Sequence, residues 1–259
     1  MSARPPHLSA SVLAPVLVMA AIGALTGCGP ALGASAQNQV AAPAVTVVPP
    51  RPSPTLVVAS PALPSRLPGL GAKTLAQVPA GSRQVVVVTG RGVDSALSSV
   101  VVYQRTATGW RAGAPWPARN ALRGWSRDHH AGDLRSPVGV FTLSDAGGRL
   151  ADPGTRLTYD HSPRGFSIAG TGFDGESLAG AFDYVVAIDY NRGRGLSPLD
   201  WTRPLGDGKG GGIWFHVDHG GPTHGCVSLS LAHMKQLLDT LDPARHPVVV
   251  MGDAASLSR

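Results

Sequence analysis

Apolar positions fall into three regimes along this chain. One unbroken apolar run lies near the N-terminus, a proline- and alanine-rich stretch without period follows, and then come short β-branched runs punctuated by glycine. In the third regime Gln84–Thr89 and Ser98–Gln104 are valine-rich runs separated by Gly90, Gly92 and Asp94, which predicts a strand pair. Gly139–Leu143 follows Pro137 and reads as a strand entered from a rigid turn. Tyr184–Tyr190 and Gly212–Val217 are apolar enough for central strands, and Pro247–Met251 closes the domain. Residues 145–183 and 191–211 are rich in Gly, Asp, Ser and Arg, which predicts long surface loops. Helical spacing appears where Leu231, Met234, Leu237, Leu238 and Leu241 recur, with Ser228 or Ser230 to cap the start and Pro243 to stop it. Many strands, few helices and glycine-rich connections predict one mainly β domain over 81–253. The expected architecture is a sandwich or barrel with a helix in its C-terminal half, ending in a short tail, 254–259.

The N-terminal run sets the compartment. Arg4 and His7 precede an uncharged stretch from Leu13 to Leu25, too short for a membrane span and suited to an export signal over 1–27. It ends in Leu25-Thr26-Gly27-Cys28, which resembles a bacterial lipoprotein box. That pattern implies a thioether-linked diacylglycerol on Cys28 and a protein held by its lipid on the extracytoplasmic face of the cell membrane. Cleavage after Ala36, in the small-residue site Ala34-Ser35-Ala36, would instead release it. Residues 28–80 read as a linker. From 29 to 80 there are ten prolines, three basic residues and no acidic one, which predicts a disordered Pro/Ala-rich tether. Fully extended at about 3.1 Å per residue, it would reach about 160 Å.

Charge location changes the meaning of the formal net +6. No acidic residue precedes Asp94, so the excess positive charge belongs to leader and tether, and the folded part is balanced. A nucleic-acid binder concentrates its positive charge on the folded domain, so that class is excluded. Weak attraction of the tether to an anionic membrane or wall polymer fits the distribution.

The candidate chemistry centres on Thr223-His224-Gly225-Cys226-Val227-Ser228, ten residues after His216. With Cys28 lipidated or removed, Cys226 is an unpaired thiol in an oxidising compartment, which marks it as reactive. A free thiol titrates near about 8.5, and a histidine within hydrogen-bond reach can take its proton and stabilise the thiolate. His216, at the end of an apolar strand, is suited to be that base. Gly220, Gly221 and Gly225 permit close backbone approach, and backbone N–H groups near Gly225 and Cys226 can stabilise an oxyanion. These parts fit covalent acyl transfer through a thioester. A competing reading is metal binding, since His216, Asp218, His219, His224 and Cys226 supply ligand types within eleven residues. A third is a non-catalytic wall-binding lipoprotein. Asp218 and His219 read as loop polarity, His129 and His130 beside Asp128 as a solvated turn, and Asp189 and Asn191 as candidates to flank the cleft.

Ile213-Trp-Phe-His216 followed by Pro222-Thr-His-Gly-Cys-Val-Ser228 resembles the signature of the L,D-transpeptidase catalytic (YkuD-like) family. Pro137-Val-Gly-Val-Phe141 is similar to a strand entrance upstream in the same family. The resemblance spans about Gln84 to Gly252 and implies that Cys226 is the nucleophile and His216 the general base. It further implies that the Val217 carbonyl orients an imidazole and that Gly225 helps form the oxyanion pocket. His224, beside the nucleophile, joins this catalytic group in a structural role, while Thr223, Ser228 and Tyr190 are the candidate substrate-binding positions. The implied substrate is the peptide stem of peptidoglycan, with no cofactor and no metal. Two departures stand out: the gap from His216 to Cys226 is short, and Ser228 occupies a position that is often Arg or Asn.

Overall fold

The computed structural model describes residues 62–259. The signal segment, Cys28 and most of the proline-rich stretch lie outside the described residues. Thirteen strands follow in chain order: β1 (Gln84–Gly90), β2 (Leu97–Arg105), β3 (Trp110–Ala112), β4 (Trp116–Arg119), β5 (Trp125–Ser126), β6 (Ser136–Pro137), β7 (Gly139–Thr142), β8 (Asp145–Gly148), β9 (Thr158–His161), β10 (Val185–Ala187), β11 (Trp214–Val217), β12 (Val227–Leu229) and β13 (Val248–Asp253). Three short α-helices accompany them: α1 (Ala72–Leu75), α2 (Leu231–Thr240) and α3 (Ala254–Leu257). The domain is mainly β, as its sequence predicts. Among the described residues no helix is long and apolar enough to cross a membrane.

One curled sheet of eleven strands carries nearly everything, in the order β7-β13-β1-β2-β4-β12-β11-β10-β8-β9 with β3 on the end of β2; β5 and β6 pair separately. The expected strand pair is an antiparallel hairpin, β1 with β2, while β13 returns parallel to β1. The valine runs of β1 and β13 are continuous because both of their faces are buried. Val86, Val88, Val249 and Met251 enter one core, together with Phe215, Val227, Leu229 and the inner face of α2. Val85, Val87, Val248 and Val250 enter a second core with Leu67, Tyr103, Trp110 and Leu257.

That second core moves the domain boundaries outward. Leu67, at 3% exposure, is buried, and Leu70, Leu75 and Val78 pack around it, although composition assigned them to the linker. Leu257, assigned to a tail, closes the same core from α3. The two segments hold each other: Gly71 N–H donates to Leu257 O at 2.9 Å, and Lys73 N–H donates to Arg259 O at 2.9 Å. The second face of a buried sheet must be covered, and these flanking residues cover it.

One of the two loop expectations is corrected as well. The stretch 145–183 contains β8 and β9, paired in parallel from Asp145↔Thr158 to Gly148↔His161. Asp-Ala-Gly-Gly shows no strand pattern, yet all four residues of β8 are buried. A side chain at Gly147 would sit 2.7 Å from Asp160 O and from Phe166 Cζ, so glycine is what lets the chain pass there. The stretch 191–211 is a long loop, but it is pinned from within. Arg192 pairs with Asp145 at 3.1 Å and with Asp189, all three side chains being buried. Asn191, at φ 47°, donates to Gly206 O at 3.0 Å and Gly210 O at 2.6 Å and accepts from Leu205 N–H at 2.7 Å.

Candidate active site

β11 and β12 run side by side in parallel, with Phe215 opposite Val227, His216 opposite Ser228 and Val217 opposite Leu229. Phe215, Val227 and Leu229 enter the first core. Alternation along a strand therefore sends Trp214, His216 and Ser228 to the other face. Cys226 directly precedes β12 and shares the parity of Ser228, and the Trp214 N–H donates to its Sγ at 3.4 Å. His216 thus stands on β11 and Cys226 at the entrance to its parallel neighbour β12, with the thiol against the backbone of Gly212 and Trp214. The ten-residue spacing is a strand, a glycine-rich return and a second strand.

His216 is buried, and its Nδ1 lies 2.9 Å from Val217 O. A carbonyl only accepts, so Nδ1 carries the proton and Nε2 keeps the lone pair that a base needs. Phe182 meets the ring edge-on at 5.5 Å, and His219 stacks on it at 5.6 Å and 6°. His219 is itself held by Glu176 Oε1 at 2.9 Å, so it is anchored rather than free loop polarity. Burial pushes the His216 imidazole down to about 4, with nearby His219 adding to the shift and the Val217 carbonyl and Asp218 opposing it. Burial pushes the Cys226 thiol up to about 11, against the Trp214 N–H, and its S–H points to Gly212 O at 3.5 Å. Among the described residues no imidazole hydrogen-bonds to the sulfur. The sequence expects a thiolate paired with imidazolium; the resting site holds a neutral thiol beside a neutral base. His216 lost its water when the strands packed, whereas Cys226 keeps part of its surface exposed.

The residues around the nucleophile divide differently from their expected roles. Gly225 is buried, and a side chain there would lie 2.8 Å from Ile213 Cδ1. Thr223 is buried, donating from Oγ1 to Cys226 O at 2.7 Å and from its N–H to Asn120 O at 3.1 Å. Ser228 has no exposed surface, and its Oγ donates to Asp218 Oδ1 at 2.9 Å. Neither Thr223 nor Ser228 presents a surface to a substrate; Thr223 holds the Cys226 carbonyl and Ser228 holds the Asp218 carboxylate. Tyr190 sits behind the site wall, its hydroxyl 2.9 Å from Lys209 O and its ring edge-on to His129 and Phe141. It supports the wall without lining it. Asp189 and Asn191, expected beside the cleft, are buried in the contacts that pin the 191–211 loop. Only His224 among these residues is exposed, tilted against Phe173 at 4.6 Å.

The thiol opens onto a cavity of about 650 Å³ whose wall includes His129, Trp201, Arg203, Asp207 and His224, with Gly210–Gly212 as its floor. Trp201 is 82% exposed, and the Arg203 guanidinium lies 5.0 Å from its ring centre. Sequence reasoning missed Trp201 and Arg203 inside a glycine-rich loop and took His129 for a solvated turn.

A protein-family model described as the L,D-transpeptidase catalytic domain (YkuD) matches residues 81–250. The chain belongs to that family. Two solved structures are similar to this L,D-transpeptidase domain. Bd1075 from Bdellovibrio bacteriovorus is 16% identical, with 72% of this chain and 53% of that one covered and a TM-score of 0.41. The helical cell shape determining protein Pgp2 from Campylobacter jejuni is 17% identical, with 66% and 47% covered and a TM-score of 0.36. The chain spans about half the length of these two proteins. No curated protein matches it.

Within the L,D-transpeptidase domain, the position often held by Arg or Asn is Ser228, and a cation reaches this place from another strand. Arg119 of β4 pairs opposite Ser228, and its Nε lies 3.5 Å from Asp218 Oδ1. Among the described residues no group of three or more His, Cys, Asp or Glu side chains is placed to hold a metal ion. His216 and His219 stack where β11 has ended at Val217, and each Nδ1 already has a protein partner.

Proposed function

We propose that this protein is an exported acyltransferase of the L,D-transpeptidase type, acting on peptidoglycan stem peptides and held to the membrane by a lipid on Cys28. The Cys226 sulfur attacks a stem-peptide carbonyl while His216 Nε2 takes the thiol proton. The C–S bond forms, the amide C–N bond breaks, and the departing amine leaves with that proton. A second nucleophile then releases the acyl group from the thioester. Backbone N–H groups about Gly225 and Cys226 receive the charge that develops on the carbonyl oxygen. The observation that carries this reading is His216 on β11 with Cys226 at the entrance to its parallel neighbour β12, the thiol opening onto a cavity, in a chain of this family.

Incubation of the full chain with disaccharide tetrapeptide, followed by intact mass analysis, tests it. The wild type should show an acyl adduct on Cys226. Cys226→Ala should show none and no turnover, and His216→Ala should be slower by at least about 100-fold. Undiminished turnover in Cys226→Ala would overturn the mechanism. The mass of the mature N-terminus distinguishes a lipidated Cys28 from cleavage after Ala36. The Cys226 sulfur bonds to the Trp214 N–H and the Gly212 carbonyl and to no imidazole among the described residues, which favours a second reading, a wall-binding protein that keeps the fold without turnover. Tetrapeptide binding with no adduct at any pH would establish that reading.

A further inference from the structure

The cavity in front of Cys226 holds one fixed cation. Among the described residues Arg203 is the only arginine or lysine in its wall, and Asp207 is the only carboxylate there. The Arg203 side chain is held from several directions. Its guanidinium lies 5.0 Å from the Trp201 ring centre and rests against the floor, where a side chain at Gly211 would meet Nε at 2.3 Å and Cζ at 2.8 Å. Nη1 donates to Asp200 O at 3.2 Å and to Thr202 O at 3.0 Å. The backbone is fixed as well: Arg203 O accepts from Gly206 N–H at 2.8 Å, and Leu205 N–H donates to Asn191 Oδ1 at 2.7 Å.

What remains is one edge of the guanidinium. Nε and Nη2 have no hydrogen-bond partner among the described residues, and no carboxylate there forms an ion pair with them. Neighbouring cations are spoken for, since Arg192 is locked to Asp145 and Asp189 and Arg119 leans on Asp218. The Nε–Nη2 edge is one that can grip a carboxylate through two parallel N–H···O bonds. It also reaches the residue that touches the nucleophile. A side chain at Gly212 would lie 3.8 Å from Nη2, and the Gly212 carbonyl is the one that accepts the Cys226 S–H.

A stem peptide that loses its terminal residue carries the matching anion. The departing nitrogen and the terminal carboxylate share one α-carbon, so sulfur on the scissile carbonyl brings that carboxylate close to the same stretch of floor. Resting on the acyl-transfer reading above, we propose that Arg203 is a specificity-determining residue, its Nε–Nη2 edge holding the free carboxylate of the stem peptide's terminal residue while Cys226 takes the carbonyl before it. The protein therefore selects peptides that end one residue after the bond it breaks and passes over stems that are amidated there. Trp201 is a positioning residue that covers the guanidinium and fixes its plane.

The test uses the full chain and two synthetic disaccharide tetrapeptides that differ only at the C-terminus, one a free carboxylate and one a primary amide. Binding is measured by calorimetry in the Cys226→Ala background, where no bond breaks, and adduct formation is followed with the cysteine intact. The acid should bind about 10- to 100-fold more tightly than the amide. Arg203→Gln should weaken the acid by that factor and leave the amide unchanged, which also shows the cavity to be intact. Arg203→Lys keeps the charge without the fork and should fall between. With the cysteine present, Arg203→Gln should raise KM for the acid and leave kcat within about threefold. Equal binding of acid and amide while Arg203 is in place overturns this proposal alone. So does an Arg203→Gln variant that weakens both peptides alike, as a purely structural role or a grip on another carboxylate of the stem would. Preference for the acid with no Cys226 adduct overturns the acyl-transfer reading and supports the carboxylate site.

Discussion

A thiol is a strong nucleophile only when its proton has a destination, and at Cys226 that destination is not yet engaged. The S–H points to the Gly212 carbonyl, and burial raises the thiol to about 11. Alkylation by iodoacetamide follows the thiolate fraction, so its rate in the free protein should climb through the alkaline range, with little reaction at pH 7. His216→Ala should leave that curve almost unmoved, because imidazole and sulfur are not bonded at rest. A titration midpoint below pH 7 that His216→Ala abolishes would contradict this. The Cys226 and His216 pair was legible in the sequence because motif and spacing record which residue types meet. The roles of Thr223 and Ser228 were not. Both are small hydroxyl residues beside a nucleophile, and whether such a group faces substrate or bonds within the fold depends on burial, which no motif states.

Among the elements, α2 shows how far periodicity reaches. Ser230 caps it, its Oγ accepting from His233 N–H at 3.2 Å, as one of the two serines was expected to do. Met234, Leu237, Leu238 and Leu241 are fully buried, but Leu231, counted in the same stripe, is 44% exposed in the first turn. Leu237→Ala should therefore cost about 2–5 kcal/mol and Leu231→Ala no more than about 0.5 kcal/mol, read as a difference in urea unfolding. Equal losses would mean that the helix sits rotated on the sheet. The strands divide likewise. β1, β2 and β13 announce themselves by valine runs, whereas β8 is Asp-Ala-Gly-Gly, where Asp160, Phe166 and Asp183 leave no room for a side chain at Gly147 or Gly148.

For the whole molecule, the second core joins both flanks to the domain. A chain beginning at residue 81 lacks Leu67, Leu70, Leu75 and Val78 and should melt well below one beginning at residue 62; matching curves would show that the flank is dispensable. Acid should act through the buried base. His216 titrates at 6.5 when unfolded and about 4 when folded, so between those values the unfolded chain binds a proton that the folded one refuses. Stability is then full above about pH 6.5 and declines as pH falls towards 4, by on the order of 3 kcal/mol. Replacing His216 with Phe should flatten that decline, and an unchanged acid slope would contradict the assignment. By itself the sequence determined the mainly β class, the places of the long strands and of the helix, and the two residues at the heart of the site, because alternation, period and residue chemistry are local. Tertiary structure alone decided where the domain ends, which hydroxyls are hidden, that His129 joins the cavity, and that thiol and imidazole rest uncharged. Each of these depends on which distant segment covers a group, and so on how much water that group retains.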